Sequence, residues 1–139
     1  MQTLYCPHCG RMFRADRLYA QIIDGRAAYY CPSVECSFYF NELVEIDEMM
    51  VYPIEILNQK GYKTRFCCSG HMMSPENRMY NEGYILFDDI YKFPSIPRYW
   101  KYEVFNDVES INKQLSKLTS TIKNPFTYMN SLVNWVDKL

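Results

Sequence analysis

Hydrophobic spacing changes character several times along the chain, and each change predicts an element. Ala20–Ile23 and Arg26–Tyr30 flank Asp24-Gly25, a two-residue turn signal that predicts a β-hairpin. Ile54–Lys60 reads as a short helix with Pro53 in its first turn and Gly61 at the left-handed position just past its end. Tyr62–Ser69 then reads as a strand. Gly83–Asp88 reads as another, and its nearly continuous apolar run predicts cover on both faces. Phe93-Pro94-Ser95-Ile96-Pro97 is too rich in proline for regular structure and predicts a loop.

Toward the C-terminus, Val108, Ile111, Leu115, Leu118 and Ile122 recur at three- and four-residue steps, which predicts an amphipathic helix. Pro125 follows it, and Phe126, Met129, Leu132, Val133 and Val136 mark a second helix. Both stripes are read as core-facing. The expected fold class is α+β. An N-terminal unit of residues 1–42 is followed over 43–139 by a small α/β unit with a C-terminal helical pair.

Four cysteines define the N-terminal unit. Cys6 and Cys9 are separated by two residues, Cys31 and Cys36 by four, and 21 residues lie between the pairs. Tetrahedral Zn²⁺ needs four thiolate or imidazole ligands, and two close pairs joined by a hairpin supply them. This predicts a zinc ribbon holding one structural zinc. A redox Cys-x-x-Cys would sit on a βαβ pattern, which residues 1–30 do not show. His8, between the first two ligands, is expected to face solvent. Short β-prone stretches at Ala27–Tyr30 and Ser37–Phe40 surround the second pair.

Composition adjusts this picture in two ways. Aromatic residues make up 17%, including 13 Tyr, which suits a tight core, a contact surface and homo-oligomers alike. Net charge is −1, so any basic surface has to be local. Glu42, Glu45, Asp47, Glu48 and Glu55 make 41–56 acidic, whereas Arg11, Arg14 and Arg17 lie beside Phe13 and Tyr19. Cations beside aromatic rings suit single-stranded nucleic acid, so Arg11, Phe13, Arg14 and Arg17 are candidate contacts, with a solvated hairpin face as the other reading. No apolar run is long enough for a membrane span, and no leader-like stretch precedes Cys6. Cysteines in metal-type spacing point to a cytoplasm.

The second chemical constellation is Gly61-Tyr-Lys-Thr-Arg-Phe-Cys-Cys-Ser-Gly-His71. On a regular strand Thr64, Phe66 and Cys68 share one face, and Lys63, Arg65 and Cys67 the other. Three readings stay open. Cys67 and Cys68 can be buried structural thiols, with His71 satisfied locally. Alternatively Cys68, Ser69, Gly70 and His71 form a pocket for an anionic or nucleotide-like ligand, with charge from Lys63, Arg65 or Arg98. Thirdly, Cys67, Cys68 and His71 form a catalytic pair or a second metal site.

An N-terminal ribbon, then Leu57-Asn-Gln-Lys-Gly-Tyr-Lys-Thr-Arg-Phe-Cys-Cys-Ser-Gly-His71, Tyr84–Asp88 and a Pro-Ser-Ile-Pro loop resembles an uncharacterised family of small proteins from phages and mobile elements of Gram-positive bacteria. That resemblance carries no established activity. It implies a bacterial host cytoplasm and roles in takeover or counter-defence, by blocking a host machine or sequestering a signal nucleotide. Thr64 and Cys68-Ser69-Gly70-His71 are also similar to the threonine and Ser-Cys-Ser-Gly-Arg segment of the wybutosine-synthesis tRNA methyltransferase, with His71 where that family has Arg. The functional expectation is a non-catalytic protein that binds a protein or nucleic acid. The alternative is a small-molecule or nucleotide-binding protein or enzyme sited at Cys67–His71.

Overall fold

The computed structural model describes residues 2–37, 41–70, 82–107 and 113–139. β1 (Thr3–Tyr5) and β2 (Met12–Arg14) pair antiparallel on either side of the first cysteine pair. β3 (Gln21–Ile23) and β4 (Arg26–Ala28) form the expected hairpin. Its Asp24 and Gly25 have φ of 52° and 77°, and two left-handed residues give a turn whose twist matches that of the strands. Tyr30 then bridges Glu42, and the Cys31 amide donates to Asn41 O at 2.9 Å, so the second arm delivers Cys31. One helical turn, α1 (Val34–Ser37), carries Cys36. Phe38–Phe40, the end of the β-prone stretch, lies outside the described residues. β5 (Val44–Glu45) pairs with β1 on the side away from β2, so a three-stranded sheet runs across position 42/43.

α2 spans Glu48–Gln59 and therefore starts five residues before Pro53. Proline is an interior residue here, not a first-turn one, and it forfeits the hydrogen bond to the Met49 carbonyl. The helix tolerates this because Met50, Pro53, Ile54 and Leu57 form one buried stripe that continues through the proline. Its end is as expected. Gly61 has φ of 91°, its amide donates to Asn58 O, and the Tyr62 amide donates to Leu57 O, which together satisfy two terminal carbonyls.

β6 (Thr64–Cys68), β7 (Tyr84–Phe87), β8 (Trp100–Asn106) and β9 (Gln114–Ser120) form one sheet in the order β6-β7-β9-β8, antiparallel throughout. α3 (Pro125–Lys138) closes the chain. Its cap is Asn124, whose Oδ1 accepts from the Phe126 and Thr127 amides. α2 and α3 supply Met50, Ile54, Leu57, Met129, Leu132 and Val136 to a core completed by Ile85, Phe87 and Leu118 of the sheet. Phe93, in the expected irregular loop, inserts its ring among Tyr62, Phe87, Tyr102 and Trp135 at centroid distances of 4.8–5.3 Å. The fold is α+β.

Three expectations need correction. Among the described residues, the C-terminal stretch holds one helix rather than two, because Gln114–Ser120 is β9. As a strand it puts Leu118 on the core face opposite Ile85 and Leu115 on the other face opposite Phe105. Ser116 and Ser120 share the core face with Leu118 and Thr119 the other face with Leu115, and these buried polar positions mask the strand's alternation. Val108 and Ile111 lie outside the described residues. Secondly, the two faces of β7 are not equally covered: Ile85 and Phe87 are buried, while Leu86 is half-buried and Tyr84 is exposed. Thirdly, the register of β6 shifts between Thr64 and Phe66, so Arg65 is an extra residue and alternation reverses there. Thr64 and Cys67 consequently share the core face, and Phe66 is 45% exposed.

Candidate metal centre

Strand ends and tight turns bring four sulfurs together. Cys6 leaves β1, and its amide donates to Arg11 O while the Gly10 amide donates to Cys6 O. This folds residues 6–11 into a knuckle, with Gly10 at φ of 76° and a Cβ there meeting Asn58 Oδ1 of α2 at 3.1 Å. Cys31 follows the hairpin and Cys36 sits on α1. The four Sγ atoms lie within 4.8 Å of one another, with Cys6–Cys36 at 4.0 Å and Cys9–Cys31 at 3.7 Å.

These distances decide between the alternatives. A disulfide needs about 2.05 Å between sulfurs. A tetrahedron with Zn–S bonds of about 2.3 Å has edges of roughly 3.8 Å. The cluster is therefore a set of free thiols that can hold one metal ion, and the donor set fits a soft tetrahedral metal. Cys6, Cys31 and Cys36 are buried. Without an ion, burial pushes the Cys31 thiol up to about 12, whereas Cys9 is lowered despite its desolvation by the Arg11 amide and the neighbouring thiols. His8 is exposed, as expected, and its Nδ1 is also 3.3 Å from Cys36 Sγ, where a protonated nitrogen would support a thiolate.

The candidate nucleic-acid residues beside this centre are dispersed. Arg11 donates to Ser33 Oγ, Arg14 pairs with Asp16 at 3.4 Å, and Phe13 packs against the cysteine cluster. Arg17 is exposed.

The 63–71 constellation is also split. Lys63 and Arg65 meet Asp88 at 3.8 and 3.7 Å, Lys113 joins the same carboxylate at 3.2 Å, and Arg65 reaches Asp107 at 3.7 Å. Ser69 lies at the far end of β6, roughly 15–20 Å from Lys63 at about 3.3 Å per residue. It is 4% exposed, and both its amide and its hydroxyl donate to Asp47 Oδ2, at 2.8 and 3.1 Å. Its carbonyl accepts from the Tyr128 hydroxyl, and the Gly70 amide donates to Cys68 Sγ at 3.4 Å. Burial pushes the Cys67 thiol up to about 12, with Asp47 adding to it. Burial and Asp47 also raise Cys68. His71 lies outside the described residues.

Sequence reasoning missed the role of Asp47, which read only as part of an acidic stretch. It also missed an open groove of 640 Å³ between the 95–99 turn and α3, floored by Trp135 and flanked by Arg98, Tyr99 and Phe126. The available signal was the polar spacing Thr127, Asn130, Asn134, Lys138 on the helix, which a plain solvated face shares.

No family model, curated protein or solved structure matches this chain. Among the described residues, no helix is long and apolar enough to cross a membrane.

Proposed function

We propose that the chain is a zinc-stabilised binding protein whose metal is structural and which acts by holding a protein or nucleic-acid partner. The observation that carries this reading is the closure of the four-thiol cluster. Two of its sulfur pairs, at 4.0 and 3.7 Å, lie near the edge length of a metal tetrathiolate, all four sulfurs lie within 4.8 Å, and three of the four cysteines are buried, which supports a four-sulfur site with no ligand position left for a substrate. The thiols of Cys67 and Cys68 add to it, because both are raised by burial and a nucleophilic cysteine needs the thiolate. Ser69 gives its amide and hydroxyl to Asp47, which favours a structural role for that segment over a small-molecule pocket.

Cobalt replacement tests the closed site. The Co²⁺ protein should show the absorption of a tetrahedral tetrathiolate, and added cyanide or azide should leave it unchanged. A spectrum that responds to either anion means an open coordination position and a catalytic metal, which overturns the reading.

A further inference from the structure

We infer that the groove between the 95–99 turn and α3 binds single-stranded nucleic acid. This deepens the binding-protein reading and rests on it. The charge of the groove is one-sided. Arg98 and Lys138 line it and no carboxylate does, although the molecule as a whole carries −1. Asp137, the lone acid of α3, accepts a hydrogen bond from Tyr52 of α2 and is not in the lining. Among the described residues, neither cation has an ion-pair partner: Arg98 lies over the Tyr99 ring at 4.9 Å, and Lys138 has no contact of this kind.

Of the aromatic component, Tyr99 is half-buried against the core and Phe126 is unspent. Phe126 is 77% exposed at the head of α3, in the groove lining, although the other large apolar residues of that helix point into the core. Tyr99 is the third residue of a turn closed by the Trp100 amide on Pro97 O, and its φ is 71°, a conformation that favours glycine. A tyrosine held there puts a ring and a stacked guanidinium at the groove's edge, and strained positions of this kind cluster at ligand contacts. Asn130 and Asn134, one and two turns along, present amides with no described partner.

Rings at one end, free amides along the floor and unpaired cations answer the parts of a single strand: base faces, base edges and phosphates. From Phe126 to Lys138 the helix runs roughly 18 Å, room for about three nucleotides rather than one. A duplex does not fit this chemistry, because its base faces are already stacked.

Fluorescence anisotropy with a labelled homopyrimidine strand of roughly a dozen nucleotides tests the assignment on the metal-loaded protein. Binding should weaken as salt rises. Phe126→Ala should weaken it by about tenfold. Arg98→Ala and Lys138→Ala should each flatten the log–log salt slope by about 0.7. Tyr99→Gly should keep the turn and lose affinity, whereas Arg17→Ala, on the ribbon, should change nothing. Four of the five sites are exposed and Tyr99 is half-buried against the core, and unchanged circular dichroism and zinc content establish that each variant is folded. The assignment is overturned if the unaltered protein does not bind the strand at low salt, or if the groove variants bind as well as it does. Equal competition by duplex or by free mononucleotide also overturns it. None of these outcomes touches the cobalt spectrum, so failure here is separable from failure of the closed-site reading.

Discussion

The phenol of Tyr5 reaches across 59 residues of sequence to Thr64, with its oxygen 2.6 Å from the Thr64 carbonyl and 2.7 Å from Thr64 Oγ1. A single O–H donates once, so Tyr5 donates to the carbonyl and accepts from the threonine hydroxyl. Asn58 completes the set: its Nδ2 donates to Thr64 Oγ1 at 2.9 Å and its Oδ1 accepts from the Thr64 amide at 3.1 Å. The first strand of the cysteine-bearing unit is thereby bonded to the end of α2 and the start of β6. Tyr5→Phe leaves buried polar groups of Thr64 short of a partner, and should cost about 1–3 kcal/mol in urea unfolding. Combined with Thr64→Val the losses should not add, because the two residues share one network. Full additivity would mean that the contact is not energetically real.

Metal removal should act locally first. The small core around the cysteines buries only Leu4, Leu43 and the thiols themselves, with Phe13, Leu18 and Tyr29 partly buried against them, too little apolar area to hold residues 6–36 without an ion. A chelator should expose Arg11, Arg14, Arg17 and Arg26 to trypsin, and added Zn²⁺ should reverse this. Native mass should show one zinc per chain before treatment. An identical cleavage pattern with and without chelator would remove the structural role of the ion.

Alkali should destabilise the fold. Burial raises Tyr5 from 10.0 to about 12 and Cys67 from 9.0 to about 12, so folding favours their neutral forms. That contribution is complete below the unfolded value and is lost as pH rises toward the folded one, placing the decline between about 9 and 12. Urea midpoints should be flat just below pH 9 and fall above it, and Cys67→Ala should delay the onset. Stability that rises through this window would contradict the buried placement of both groups.

Gly83 tests the contact between sheet and helix. A Cβ there would stand 2.8 Å from Tyr128 Cε1 and 3.3 Å from Trp100 Cη2. Those rings are locked edge to face at 5.5 Å, and Trp100 Nε1 donates to Tyr128 O. Gly83→Ala should therefore cost about 1–3 kcal/mol through overpacking, measured as a lower denaturant midpoint. A neutral result would show that the two rings move freely.

Local chemistry was legible and long-range partnership was not. The four cysteines, the Asp24-Gly25 turn and the Gly61 helix end each follow from a few adjacent residues, and the structure has all three. β9 was misread because Leu115 and Leu118 keep a helical step, while the residues that make it a strand are Ser116, Thr119 and Ser120. Their burial depends on β7 and β8 lying on either side. Ser116 donates to Asp89 O, and Ser120 Oγ accepts from the Gly83 amide, partners that no local pattern announces. The start of α2 was hidden by Pro53, whose usual first-turn preference was overridden by the stripe from Met50 to Leu57. The candidate ligand residues at 63–70 were adjacent in sequence, but a strand carries its two ends apart.

The strand order β6-β7-β9-β8 also has a consequence for how the chain is made. β7 lies between β6 and β9, yet β8 is synthesised before β9, so one long side of β7 stays unpaired until residue 120 has emerged. A nascent or truncated chain ending near residue 99 would present the row from Tyr84 to Phe87 as an open template for another copy. Aggregation of such fragments, and the timing of β8–β9 hairpin docking, are where misfolding of this protein should begin.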